Sequence, residues 1–183
     1  MLEHISNQIS EIGDDRPISG LGRVAFHPFG KHAATASFDM TWRLWDVETG
    51  ACLLEQEGHS RAVYTIAFQN DGALAASAGM DAVGRLWDLR TGRNILKLEG
   101  HVKPVRFEPT AGAFLLTCGY DRVSKVWNSR TFRLEKTLVG HESKVMAGDI
   151  SPSHACLIAT AGYDRTLKLY APDLTEDDAD ESM

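Results

Sequence analysis

Three side chains with the makings of a hydrolytic centre recur along this chain. His59, Ser77 and Asp81 are a base, a hydroxyl and a carboxylate, separated by 18 and 4 positions. Acyl transfer uses those types: a hydroxyl to attack, an imidazole to take its proton, and a carboxylate to orient the imidazole. The set returns as His101, Thr117 and Asp121, and again as His141, Thr160 and Asp164, while Thr35 and Asp39 form a copy without a His. A catalytic centre needs one set and one kind of nucleophile, and no GxSxG elbow is present to strain and expose one. Repetition with two hydroxyl types predicts a structural part for these residues. The seven His show no HxxxH spacing for a metal, and no glycine-rich loop is built to cradle a phosphate. The sequence therefore predicts no catalytic residue, no metal site, no cofactor and no small-molecule substrate.

The elements that position these residues follow from the spacing. Gly58-His59, Gly100-His101 and Gly140-His141 recur at intervals of 42 and 40 residues, and Trp45, Trp87, Trp127 and Tyr170 at 42, 40 and 43. Asp46 and Asp88 follow the first two tryptophans, Asn128 the third, and Ala171 the Tyr. Short β-compatible runs such as Tyr64–Phe68 and Arg85–Trp87 alternate with turn residues such as Asn70-Asp71-Gly72, and helical periodicity is absent. A period near 40 with GH and WD marks resembles the blade of a WD-repeat β-propeller. The expected fold is all-β with four blades over residues 23–170, at about 23–59, 60–101, 102–141 and 142–170. Residues 1–22 read as a lead-in and 171–183 as an acidic, disordered tail.

In WD-repeat families the His, the hydroxyl, the Asp and the Trp form a hydrogen-bonded chain. Its logic is physical: a buried indole N–H needs an acceptor, and a hydroxyl can accept from it and donate onward to the His. The His then reaches a carboxylate that also fastens a tight turn. Each bond contributes about 1 kcal/mol net, whereas a buried member without a partner costs about 1–3 kcal/mol. By this pattern the second and third copies are complete. The first has Thr35, Asp39 and Trp45 but Pro17 where the His belongs, and the fourth has Tyr170 for Trp. Counted to the apolar anchor of the first strand, His59–Phe68 and His141–Ile150 span nine residues but His101–Phe107 spans six. Three residues are missing from the third copy, and Pro104 stands where a strand donor is wanted.

Composition bounds the function. Hydrophobic residues at 43 % and charged residues at 24 % are the balance of a soluble globular chain. Six acids between Asp173 and Glu181 account for the whole formal charge of −6, so the body is neutral and carries no field toward nucleic acid. Neither a secretory signal nor a membrane span is expected. Cys52, Cys118 and Cys156, with no CxxC pair, predict core thiols in a reducing compartment.

Phe38, Met80, Tyr120 and Tyr163 each precede the turn Asp, and Tyr64 and Met146 lie four before the first-strand anchor. These positions resemble exposed ones on the narrow face of WD propellers, where large apolar side chains suit protein anchors. Arg43, Arg85, Lys125 and Lys168, two before each Trp or Tyr, form a basic ring that reads as the solvated face of the third strand.

Residues Arg23 to Tyr170 resemble the pre-mRNA-processing factor four family, the WD-repeat protein of the U4/U6 small nuclear ribonucleoprotein. The strings that carry it are RVAFHPFGK, DMTWRLWD, EGHSRAVYTIAF, MDAVGRLWDLRTGR, RFEPTAGAFLLTCGYD, LVGHESKVM and YDRTLKLY, with SEIGDDRPIS upstream. The resemblance implies a nuclear, non-catalytic scaffold of the U4/U6 particle and the U4/U6.U5 tri-particle in pre-mRNA splicing. Its partners are spliceosomal proteins chiefly and small nuclear RNA secondarily, with no membrane contact. Family members resemble seven-bladed propellers, and this chain resembles blades three, four, six and seven joined. Four wedges cut for a seven-fold ring either over-tighten or leave the ring open, and Ile5–Ile12 is a candidate closing strand. Two other readings stand beside the scaffold. Trp87-Asp88-Leu89-Arg90 is similar to the box by which substrate receptors dock on cullin-type ligase adaptors. A chain unable to close is instead a non-functional propeller fragment.

Overall fold

The computed structural model describes residues 19–99, 105–152 and 157–172. Among them every regular element is a strand, and the strands form four antiparallel meanders in chain order. The first sheet is β1 (Leu21–Phe26), β2 (His32–Ser37), β3 (Trp42–Asp46) and β4 (Cys52–Gln56). The second is β5 (Val63–Phe68), β6 (Leu74–Gly79), β7 (Val83–Asp88) and β8 (Arg93–Glu99). The third is β9 (Val105–Phe107), β10 (Phe114–Cys118), β11 (Ser124–Asn128) and β12 (Leu134–Leu138). The fourth has three described strands, β13 (Val145–Ile150), β14 (Ile158–Gly162) and β15 (Leu167–Tyr170). Leu21 and Gly22, read above as lead-in, open β1. Strand β9 has three residues where its counterparts have six, at the shortened junction. Pro17, His101, Pro104, Cys156, the segment Ile5–Ile12 and the acids from Asp173 onward lie outside the described residues.

Two bulges repeat from sheet to sheet. One shifts the register at Leu44/Trp45, Leu86/Trp87 and Val126/Trp127, where the third strand meets the fourth. The other lies between Leu21 and Arg23, Val63 and Thr65, and Val145 and Ala147, so Gly22, Tyr64 and Met146 are the unpaired residues. A bulge re-aims side chains that strict alternation would bury.

The core lies between sheets. First strands pack in succession, β1 on β5, β5 on β9 and β9 on β13. Each sheet turns a leading face to the sheet before it and a trailing face to the sheet after. In the first interface Ala34, Ala36 and Trp42 meet Ile66, Phe68 and Trp87. In the second Ala76, Ala78 and Leu86 meet Val105, Phe107 and Leu115, and in the third Leu116, Cys118 and Val126 meet Val145 and Ile150. The terminal faces are open. Phe26 is 67 % exposed against 8 % for its counterpart Phe68, and Val24 59 % against 0 % for Ile66. At the other end Leu169 is 66 % exposed where its counterpart Leu86 is fully buried.

Candidate protein-interaction face

The hydrogen-bonded chain is made in full in the second sheet. The Trp87 indole N–H donates to Ser77 Oγ at 2.8 Å, and Ser77 Oγ lies 2.8 Å from His59 Nε2. His59 Nδ1 is 2.9 Å from Asp81 Oδ2, which also accepts from the Ser60 N–H. Since Ser77 accepts from the indole, its own proton goes to Nε2, and the neutral imidazole donates from Nδ1 to the carboxylate. Burial pushes the His59 imidazole below its usual value, outweighing the pull of Asp81. Ser77 is fully buried and both of its roles are taken. A nucleophile must meet substrate, so this hydroxyl is not one.

The other sheets show what each member contributes. In the fourth, His141 Nε2 is 2.8 Å from Thr160 Oγ1 and Nδ1 is 2.9 Å from Asp164 Oδ2. Burial works against the Asp164 charge, but hydrogen bonds from Thr166, His141 and Glu142 hold its carboxyl well below the usual range. Tyr170, in the place of Trp, packs against the third core cluster. In the third sheet the Trp127 N–H donates to Thr117 at 2.8 Å, and Asp121 holds the equivalent turn position, while His101 is outside the described residues. In the first, Trp45 donates to Thr35 at 2.8 Å, and Arg43 serves Asp39 in place of an imidazole, at 2.9 Å. Burial opposes the Asp39 charge, but bonds from Thr41 and Arg43 keep its carboxyl low.

Glycine marks which copies hold the imidazole. A Cβ at Gly162 stands 2.4 Å from His141 Nδ1, and one at Gly79 2.6 Å from the Ala62 carbonyl. The equivalent residue in the first sheet, whose sequence has Pro17 where the His belongs, is Ser37, fully buried. After every turn Asp comes a non-glycine residue at positive φ: Met40 (75°), Ala82 (62°), Arg122 (72°) and Arg165 (65°). The carboxylate pins that turn by accepting from the N–H two residues on, as at Thr41 (2.9 Å), Val83 (3.3 Å) and Thr166 (3.0 Å).

The acid of each WD pair has a separate duty that sequence reading missed. Asp46 Oδ1 accepts from the Glu48 and Thr49 N–H groups, Asp88 Oδ1 from Arg90 and Thr91, and Asn128 Oδ1 from Arg130 and Thr131. One side-chain oxygen suffices, so Asn does the work of Asp. Arg90, last of the WDLR string, is exposed at this turn. Trp42 was missed too. It is wholly buried and edge-on to Trp87 at 5.6 Å, at the position held by Gly84, Ser124 and Leu167 in the other sheets. The signal was an aromatic at a position that holds no aromatic in the other three sheets.

The residues expected on the narrow face share one end of the sheets. The Phe38, Met80 and Tyr163 N–H groups donate to the carbonyls of Gly20 (3.0 Å), Ala62 (2.8 Å) and Lys144 (2.8 Å), so each turn folds over the start of its own first strand. Bulging brings Tyr64 and Met146 to the same end. The Tyr64 ring meets the Phe38 ring edge-on at 5.0 Å, and its hydroxyl donates to Met80 Sδ at 3.2 Å, which joins three of the residues across two sheets. Gly22, at the bulge of β1, has no room for a side chain, because its Cβ falls 3.0 Å from the Tyr64 backbone. Lys144 Nζ lies 4.9 Å over the Tyr120 ring. Phe38, Met80, Tyr120, Met146 and Tyr163 are all exposed, and Tyr64 is half-buried.

Three members of the basic ring are drawn into structure. Arg43 bridges Asp39 and Glu55, Arg85 donates to the Gly58 carbonyl, and Lys125 covers Trp127. Among the described residues no group of three or more His, Cys, Asp and Glu is placed to hold a metal, and no helix is long and apolar enough to cross a membrane. Burial pushes the Cys118 thiol up to about 11, which leaves it unreactive, while Cys52 is exposed.

Comparison with known proteins agrees with this architecture. The WD domain, G-beta repeat family matches residues 15–46, 50–88 and 132–171. The stretch between the last two matches holds the shortened β9 together with β10 and β11. The U4/U6 small nuclear ribonucleoprotein PRP4 of Saccharomyces cerevisiae is 53 % identical over 47 residues, or 26 % of this chain. That alignment spans about a tenth of the yeast protein's length. With family matches over more than half of its residues and four blade-like meanders, the chain belongs to the WD domain, G-beta repeat family.

Proposed function

We propose that the chain is a non-catalytic scaffold of the U4/U6 small nuclear ribonucleoprotein and the U4/U6.U5 tri-particle, acting in the nucleus in pre-mRNA splicing. The observation that carries a docking role is the row Phe38, Tyr64, Met80, Tyr120, Met146 and Tyr163 at one end of the blades. Solvent-facing aromatic side chains on a rigid frame are efficient anchors, because little conformational entropy is lost when they bind, and Met side chains adapt to the shape of a partner. The particle is suggested by the yeast relative's name and by the family strings given above. Spliceosomal proteins are the primary partners. Small nuclear RNA is a secondary one, since Arg43 of the basic ring pairs with Asp39 and Glu55 within the fold and the body is neutral.

A pull-down of the tagged chain from nuclear extract tests this. U4 and U6 RNA and their proteins are expected to be enriched over a tag control, and Phe38→Ala with Tyr163→Ala to reduce their capture without unfolding the chain. Failure to enrich either class overturns the reading. Capture of a cullin adaptor, lost on Arg90→Ala, points instead to a ligase receptor.

A further inference from the structure

The two open faces of this molecule are the two halves of one interface. The second blade presents Ala76, Ala78 and Leu86 to Val105 and Phe107 of the third, and these five residues are buried against one another. The repeat assigns a counterpart to each. On the trailing face of the fourth blade stand Ala159, Ala161 and Leu169, and on the leading face of the first stand Val24 and Phe26. The register is the same: Ala76 opposes Leu86 and Ala67 across β6, as Ala159 opposes Leu169 and Asp149 across β14. Ala, Ala and Leu against Val and Phe are thus shared by a formed interface, which also holds Ala67, Leu98 and Leu115, and by one that the single chain leaves unmade. Leu169, Val24 and Phe26 are all exposed, so the first and fourth blades of one chain do not cover each other.

We infer that a second copy of this chain covers both faces, head to tail. The fourth blade of each copy docks on the first blade of the other, and the two arcs close as an eight-bladed ring. Such an arrangement is two-fold symmetric, repeats the Ala, Ala and Leu against Val and Phe contacts of the single chain with Asp149 at the position of Ala67, and falls within the roughly four to eight blades that propellers adopt. It also removes a large exposed apolar patch from water. This inference is independent of the partners proposed above, because the narrow-face residues lie at the blade ends and stay open in the ring.

Sedimentation of the full chain is the test. The expected species has twice the 20.1 kDa chain mass. Phe26→Glu and Leu169→Glu touch opposite faces and alter side chains that are exposed in the single chain, so each is expected to fold and to dimerise at least about tenfold more weakly. Mixing the two variants leaves one intact pair of faces and is expected to restore part of the association, which pairing of like faces does not. A chain that stays monomeric overturns the inference. So does an open-ended polymer, or a dimer indifferent to Leu169→Glu.

Discussion

The second blade and the first are built to one plan and differ in their surroundings. Both are four-stranded meanders with a hydroxyl that accepts from a buried Trp, a turn pinned by Asp, and the same bulges. The second has a neighbour on each side and a His in its network, whereas the first has an uncovered leading face and Arg43 in place of the His. A blade's internal geometry is therefore set locally. The hydrophobic contribution of its faces belongs to the pair, since Phe68 and Phe26 do equivalent jobs and only one has an opposing sheet.

The sharpest way to break the comparison is to delete those two rings. Phe68→Ala is expected to cost about 3–5 kcal/mol in urea unfolding, while Phe26→Ala in dilute, monomeric protein costs less than about 1 kcal/mol. Equal losses would mean that the first blade is covered in solution. Next is the glycine that makes room for an imidazole. Gly162→Ala sets a Cβ against His141 and is expected to cost about 1–3 kcal/mol, whereas Ser37→Gly in the first blade stays within about 1 kcal/mol.

The network itself comes third. His59→Ala leaves Ser77 and Asp81 without their buried partner and is expected to cost about 1–3 kcal/mol at neutral pH. Its signature is pH dependence. The folded pKa of His59 lies below its usual 6.5, so the folded blade holds fewer protons than the unfolded chain just below that pH. His59 therefore adds full stability above pH 6.5, and its contribution falls as pH drops from there through the depressed folded value. Urea midpoints followed across that window are expected to decline less steeply in the variant. The smallest effect is at the turn, where Ala82→Gly relieves a φ of 62° and is expected to stabilise by about 0.5–1 kcal/mol in thermal melts.

Much of this architecture is legible in the residues themselves. The 40-to-43-residue spacing of Trp and Tyr and the hydroxyl four before each Asp mark where a buried indole finds its acceptor. That pairing is local: Trp87 and Ser77 lie diagonally across two adjacent strands of one meander. Aromatic and Met residues beside the turn Asp are likewise readable, because the turn determines where they emerge. Trp42, by contrast, looks like any strand residue until Trp87 of the next blade is set against it. The part of Asp46, Asp88 and Asn128 as turn caps was hidden behind the more familiar Trp beside them.

The sequence by itself determined the all-β meander and its repeat spacing, since both rest on contacts within about forty residues whose partners are set by strand alternation and turn chemistry. Only the tertiary structure decided which faces are covered. Val24 and Ile66, or Leu169 and Leu86, read alike in a string of letters. Whether such a side chain is core or surface depends on the sheet that stands opposite, and no local pattern encodes that sheet's presence.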